Sequence, residues 1–410
     1  MTIKYVVPPS TLRWILAAPT DRPVIVLLRH SVRPPLPPVG SDFSLPITKE
    51  GLAIARALGS RLVPNLRSLH ASPLTRCVQT AEALREGAAS SAQVRLDRLL
   101  GNPGAFVLDG RVARVNWETL GHERVMHHLV NDLPPLPGMA VPQPAARFLV
   151  HHMLAAAAGE PGTHVFVTHD SLIVAAVAQL LRSPISSDEW PWYLEASCFW
   201  RDDDGVQVRY RERAGAWQAQ ELCYLEELDV VEFARRQIAL TVGLDCQARF
   251  FLAGGAFKTL LHGRPPRDLD LWAASAADRE QLVRTILARG GRPLERREFS
   301  DAFDLGGLIV DVPDKVEPSE LEERLARFDI ALSAIGVEHV RGASWRCVVH
   351  PLASESVRRR EVLVVQPLRN GRHAIRTLDR LQRYGRELGY SVPASEVTDV
   401  QRELARAGCR

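Results

Sequence analysis

Residues 24–28, VIVLL, are apolar at every position. Both faces of such a run must be covered, and it is too short for a helix, so it predicts an interior strand of a parallel sheet. Residues 164–168, HVFVT, repeat the pattern, and the SLIVAAVAQLL after them predicts a buried helix. Residues 46–62 place Leu52, Ala55, Leu58 and Leu62 at helical spacing behind Thr48, a side chain suited to cap a helix N-terminus. In SPLTRCVQTAEAL, Ser72 is the expected cap, Pro73 the first helical position and Arg76 a member of the opening turns. Residues 101–145, rich in Gly and Pro with a short helical run, read either as a lid over a site or as a plain surface excursion. Five aromatic residues, Trp190, Trp192, Tyr193, Phe199 and Trp200, could line a substrate pocket, but aromatic residues near a strand edge are more often core.

Near residues 223–229 this pattern runs out, and a helix over about 228–240 leads into a second one. Phe250, Phe251, Leu252 and Ala253 form a strand that meets Gly254 and Gly255, and AFKTLLHG is a short helix that Gly263 can close. DLDL and LIVDV are further strands, and one late helix runs from Ala374 to Leu388. ESVRRREV, the one basic cluster, is expected as a solvated turn. The expected division is therefore 1–225 and 226–410.

Composition changes little. A chain of 410 residues can bury two cores, and 46% hydrophobic with 24% charged residues describes an ordinary soluble protein. A net charge of +3 with scattered Arg makes no independent case for nucleic acid or an acidic membrane surface. Pro8, Pro9 and Arg13 interrupt any signal-like core, and no apolar stretch suits a membrane span, so a cytoplasmic location without membrane association is expected. The six cysteines are far apart, which argues against structural zinc and a disulfide framework, and the His127-His128 and His151-His152 doublets read as structural or solvated.

Chemistry enters where the apolar runs end. Open α/β sheets bind ligands outside the carboxyl ends of their strands, and the first strand ends there in Arg29, His30 and Arg33. A neutral imidazole can attack phosphorus, and guanidinium forks can hold phosphoryl oxygens. Arg76 stands near the positive end of a helix dipole, where a cation is unfavourable unless an anion sits nearby. The second strand ends in His169 and Asp170, so both imidazoles could meet at one sheet edge. His30 would then be the nucleophile, His169 would bind the phosphoryl oxygens, and Asp170 would protonate the leaving oxygen, which needs a raised carboxyl pKa. Asp170 could equally cap the following helix. In the second half, Asp268 and Asp270 share one strand face, and Asp311 lies in another strand. Carboxylates so placed repel each other, and Mg²⁺ would relieve that.

LLRHSVR, SPLTRCVQTAEAL and VTHD, in this order and separation, resemble the histidine phosphatase superfamily over residues 22–225. The resemblance implies a three-layer α/β domain, a small phosphorylated substrate and no cofactor for this half. It implies His30 as the phosphorylated nucleophile, Arg29, Arg33, Arg76 and His169 as the phosphate pocket, and Asp170 as proton donor, with Glu118 and Asp109 as alternatives. Ser31 stands where the family usually has Gly. GGAFKTLLHGRPPRDLDLW, with LARFDIALSAIGVE further on, resembles the nucleotidyltransferase superfamily of DNA polymerase β, closest to the head of tRNA nucleotidyltransferases and poly(A) polymerases. That implies a smaller α+β domain in which Gly254 and Gly255 hold a triphosphate backbone, Lys258 contacts phosphate, and Asp268, Asp270 and Asp311 bind Mg²⁺. The expected whole is a bifunctional enzyme, a phosphatase joined to a nucleotidyltransferase using an NTP and a small-molecule or protein acceptor. Nucleic acid is not favoured as acceptor. Competing readings make the second half a catalytically silent nucleotide sensor, or make the pair a defence or toxin module.

Overall fold

The computed structural model describes residues 5–35, 43–62, 65–131, 133–203, 205–217, 227–340, 344–365, 368 and 371–406. The chain divides into two compact units, Met1–Leu222 and Cys223–Arg410. Residues 218–226, where the sequence puts the junction, lie outside the described residues.

The first unit is built on a seven-stranded sheet of order β3-β2-β4-β1-β5-β6-β7. Its strands are β1 (Pro23–Arg29), β2 (Leu66–Ala71), β3 (Val94–Leu96), β4 (Gly162–Thr168), β5 (Ala196–Asp202), β6 (Gly205–Tyr210) and β7 (Arg213–Trp217). The VIVLL run is an interior strand, as its pattern predicts, but the sheet is mixed. β1 pairs parallel with β4, Arg29 beside Thr168, and antiparallel with β5, Leu28 beside Ala196. Helices cover both faces. Val24, Val26 and Leu28 pack in one cluster with Ala55, Leu58 and Leu84, while Pro142–Ala156 and Asp170–Leu180 also contact β1. Thr48 caps Lys49–Gly59 by accepting from the Gly51 N–H at 3.0 Å. Ser72 does not cap the next helix, which runs Thr75–Gly87 behind Leu74 and keeps Arg76 in its first turn. The 101–145 stretch holds a longer helix than expected, Gly110–Val130, broken at Gly121 by φ 77°.

The second unit carries another seven-stranded sheet, of order β10-β11-β12-β9-β8-β13-β14. Its strands are β8 (Phe250–Ala253), β9 (Asp268–Ala273), β10 (Arg292–Pro293), β11 (Ser300–Leu305), β12 (Leu308–Pro313), β13 (Ile335–Val340) and β14 (Ser344–Val349). The leading helix is Glu227–Thr241, and Gly263, at φ 71°, closes the short helix Thr259–His262. Along β9 the acids are partly exposed while Leu269 and Leu271 are buried, so alternation does project both carboxylates from one face. The basic cluster is not a turn. Arg358 and Arg359 end the helix Pro351–Arg359, where both pair with Glu355 one turn back. Beyond Gly371–Leu388 lies a further helix, Ala394–Arg406, that the periodicity did not reveal. Among the described residues no helix is long and apolar enough to cross a membrane.

His70 on β2 is buried against Phe166, with ring centroids 4.3 Å apart, and burial lowers its pKa to about 4. The unfolded chain takes up this proton near pH 6.5 and the folded one does not, so stability falls as pH drops through that window. Urea unfolding is expected to show a loss of about 2 kcal/mol between pH 6.5 and 5, from 1.36 kcal/mol per pH unit. The His70→Phe variant should lose much less; an equal slope in that variant would assign the effect to other groups.

Candidate functional site

Register brings the two strand-end histidines together. The His30 N–H donates to the Thr168 carbonyl at 2.9 Å, and the Arg29 N–H donates to Glu195 O at 2.9 Å, which pins the end of β1 between β4 and β5. The His30 and His169 rings then face each other at 5.7 Å between centroids. His30 is buried, and its Nδ1 lies 2.8 Å from the Ser31 carbonyl oxygen. A carbonyl only accepts, so Nδ1 carries the hydrogen and Nε2 keeps its lone pair. Burial, and then the proximity of His169, Arg29 and Arg76, hold this imidazole well below its ordinary pKa. Ser31, in place of the expected Gly, is absorbed by the fold: its N–H donates to Thr80 Oγ1 at 2.9 Å and its hydroxyl to the Gly51 carbonyl at 2.7 Å.

Around His169, Arg76 Nη2 lies 3.4 Å from Nδ1, and Ser72 Oγ lies 3.1 Å from Nε2. Ser72 thus serves the site rather than the helix N-terminus. The closeness of the loop behind it requires glycine: Gly101 sits at φ 144°, and a Cβ there would stand 2.7 Å from both His169 Nε2 and Ser72 Oγ. Arg33 turns to the carbonyl of its neighbour Pro34 at 2.8 Å, and its Nε is buried without a hydrogen-bond partner. No hydrogen bond among the described residues joins it to His30, His169 or Arg76.

Asp170 lies at the site beside Arg29, without the raised pKa that protonating a leaving oxygen needs. Nor is it the cap of its helix, which is His169. Its Oδ2 lies 2.8 Å from Arg29 Nη2; against the cost of burial, Arg29 and the Ser171 N–H hold it below the usual range. The alternatives are engaged elsewhere. Asp109 caps Gly110–Val130 through the N–H groups of Arg111 and Val112, and exposed Glu118 pairs with Arg114 at 2.6 Å. The aromatic cluster divides. Phe199 and Trp200 are core, whereas the Tyr193 ring lies 5.7 Å from His30 with the Arg29 guanidinium 4.4 Å from its centroid. Buried Glu195 steadies this loop, accepting from the Trp192 N–H, Arg211 and Ser10, each within 3.0 Å. Sequence alone missed Ser72, Gly101 and Glu195 as site residues and held Tyr193 only as one of five aromatics that could line a pocket; of the missed ones only Ser72, next to Pro73 and Arg76, carried any local signal.

In the second unit, parallel pairing of β12 with β9 sets Asp311 directly beside Asp270. Burial, Asp268 and Asp311 push the Asp270 carboxyl up to about 7. Asp311 Oδ1 is buried without a hydrogen-bond partner. Two arginines lie on the other oxygens: Arg267 reaches Asp268 at 2.8 Å, and Arg297 bridges Asp311 and Asp268. A cavity of about 370 Å³ opens over this group, lined also by Gly255, Lys258, Arg380, Arg383 and Tyr384. Lys258 pairs with Glu387 and lies 3.9 Å from the Tyr384 ring centroid; burial lowers its pKa despite that partner. Gly254 has a different part from the one expected. Its N–H is taken by the Ile335 carbonyl at 3.1 Å, and at φ 112° a Cβ would stand 3.0 Å from Asp270 Oδ2. It makes room for the carboxylate. Arg297, Arg380 and Tyr384 escaped the sequence reading because they come from a turn and a late helix far along the chain.

Three mutually repelling carboxylates, one with an orphaned oxygen, form a donor set that suits a hard divalent cation. Among the described residues, however, no three acidic, His or Cys side chains already converge on one metal position. Asp268 and Asp311 are turned onto Arg297 instead.

Comparison with known proteins adds one assignment. The histidine phosphatase superfamily (branch 1) model matches residues 25–199. No curated protein matches the sequence. Solved structures with some similarity include a "tRNA-processing enzyme (apo form I)", at 18% identity over 42% of this chain and 46% of that one, TM-score 0.34. Another is a tRNA nucleotidyltransferase complexed with a primer tRNA and an incoming ATP analog, at 19% identity over 42% and 49%, TM-score 0.32. A third is the Thermotoga maritima CCA-adding enzyme complexed with tRNA, at 14% identity over 46% and 45%, TM-score 0.32. The chain spans less than half the length of each of these. Two strands ending in facing histidines, an arginine-lined edge and the family match agree, and over residues 25–199 the first unit is similar to the histidine phosphatase superfamily (branch 1).

Proposed function

We propose that the first unit hydrolyses phosphomonoesters through a phosphohistidine and that the second transfers a nucleoside monophosphate from an NTP to a small-molecule or protein acceptor, the acceptor oxygen bonding to the α-phosphorus as pyrophosphate leaves. The observation that carries the first part is a buried, neutral His30 whose Nδ1–H is held by Ser31, leaving Nε2 to attack. Nε2 bonds to phosphorus as the P–O bond to the leaving alcohol breaks. Arg29 and Arg76 offset charge on the phosphoryl oxygens, with His169 beside them, and water then releases phosphate from His30. A phosphoryl dianion drawing on Arg29 weakens the charge that keeps Asp170 ionised. By that route Asp170 can take up the proton it gives to the leaving oxygen.

For the second unit the supporting observation is the Asp268, Asp270 and Asp311 group beneath a cavity ringed by Lys258, Arg297, Arg380 and Arg383. These three carboxylates would hold Mg²⁺. When bound, that ion would offset charge on the nucleotide phosphates and favour the attacking acceptor oxygen. Lys258 and the arginines would orient the triphosphate. Tyr384, fixed by its hydroxyl at 2.7 Å from Ser333 Oγ, supports Lys258 from below.

Phosphate release from a panel of phosphomonoesters, with and without EDTA, tests the first part. Release should be insensitive to EDTA and should fall by roughly a thousandfold or more in His30→Ala, the scale seen when a covalent nucleophile is removed. Release that survives in His30→Ala would sink the phosphohistidine. Gly101→Ala should retain the far-UV circular dichroism of the fold yet lose about a hundredfold in rate, because displacing an aligned group by about 1 Å costs that much. An unchanged rate would remove His169 from the chemistry. For the second part, label from an α-labelled NTP should pass to an acceptor in an EDTA-sensitive reaction that Asp270→Asn abolishes; transfer intact in that variant would exclude this centre.

A further inference from the structure

We propose that Arg297 is the resident counter-ion of the Asp268, Asp270 and Asp311 centre, that a divalent cation displaces it, and that once displaced it serves the phosphates of the nucleotide. The inference rests on reading the second unit as a nucleotidyltransferase.

Arg297 belongs to the connection between β10 and β11, where its N–H donates to the Ser300 carbonyl at 3.1 Å. One nitrogen of its guanidinium, Nη1, bridges two carboxylates. It contacts Asp311 Oδ2 closely and lies 3.5 Å from Asp268 Oδ2. This is where a cation would satisfy the most negative charge, and it explains why Asp268 and Asp311 do not converge on a metal position with Asp270. The Asp311 side chain is buried, at 3% exposure, and its second oxygen is orphaned, so a single guanidinium leaves the demand for positive charge half met. A divalent cation carries twice the charge and accepts more oxygen ligands, so it outcompetes the arginine for the same carboxylates.

Displacement is easy for this residue in particular. The Arg297 side chain is 46% exposed, so leaving Asp311 uncovers little apolar surface. It already lines the cavity shared with Lys258, Arg380 and Arg383, so a change of side-chain rotamer keeps it within the site. Of the other cations there, Lys258 pairs with Glu387 and Arg380 with buried Asp329 at 2.6 Å, acids outside the centre, while the exposed Arg267 lies on Asp268 alone at 2.8 Å and does not touch Asp311. Cation entry at the carboxylates therefore releases Arg297 and leaves the Lys258 and Arg380 pairs standing. The released guanidinium, lacking its anion, is supplied with new ones by the nucleotide phosphates. Cation and nucleotide are thereby coupled through one side chain, each favouring the other.

The test uses the full chain and Mn²⁺, with free Mn²⁺ read by electron paramagnetic resonance in the absence of nucleotide. Arg297→Gln should bind Mn²⁺ about tenfold more tightly than wild type, a coupling within the usual range. With Mn²⁺ saturating, the same variant should bind α,β-methylene-ATP about tenfold more weakly, and Arg297→Lys should fall between the two in both measurements. Unchanged or weaker Mn²⁺ binding in Arg297→Gln would overturn the counter-ion role, and unchanged analogue affinity would overturn the hand-over. Asp270→Asn separates this failure from that of the parent reading. If wild type binds no Mn²⁺, or Asp270→Asn binds it as wild type does, the carboxylates are not a metal centre and both proposals fall.

Discussion

Two buried parallel strand pairs hold the groups described above, and each does so through its register. In the first unit, β1 against β4 sets Arg29 beside Thr168, so the next residue of each strand is a histidine. In the second, β12 against β9 sets Asp311 beside Asp270. A slip of one residue would send every side chain of a strand to the opposite face. Strand β1 is apolar on both faces, so alternation alone does not hold its register; its end is pinned by the His30 and Arg29 N–H groups, which donate to the Thr168 and Glu195 carbonyls, each at 2.9 Å. The ladder that builds each sheet thus decides which polar groups meet at its edge.

A second constraint is that charge brought to a protein interior needs a partner. Both units meet it with their own side chains. Asp170 lies on Arg29, Glu387 on Lys258, Asp329 on Arg380, and two carboxylates share Arg297. Each such pair is both a support for the fold and a reserve of charge that an anionic or cationic ligand can draw on. This is why Asp170 sits below, rather than above, the ordinary carboxylate pKa. Arg29 lies 2.8 Å away and, with the Ser171 N–H, outweighs the cost of burial.

The elements read well from sequence wherever the signal was local. Thr48 caps its helix because the hydroxyl needs only an N–H three residues on, and the alternation in DLDL projects Asp268 and Asp270 together because strand geometry alone requires it. Readings failed where a distant group outbid a near one. Ser72 was suited to its own helix, yet His169, 97 residues away, takes its hydroxyl. Tyr193 read more readily as core than as pocket lining, yet Glu195, tied to Arg211 and Ser10, supports a loop that turns it over His30. The run of three arginines is exposed, as it suggested, but Glu355 one turn earlier makes it a helix end rather than a turn.

By itself, then, the sequence determined the apolar runs, the polar residues that end them and the order in which they occur, because these depend on spacings of two and 3.6 residues. It carried enough of that order for the histidine phosphatase pattern to be recognised. Tertiary structure alone decided that β5 joins β1 antiparallel, that Gly101 yields its side-chain space to His169, and that Gly254 yields its own to Asp270. It also decided that Arg297, from a connection between strands, lies on the carboxylates of two others. These are contacts between residues far apart in the chain, and no periodicity in the sequence records them.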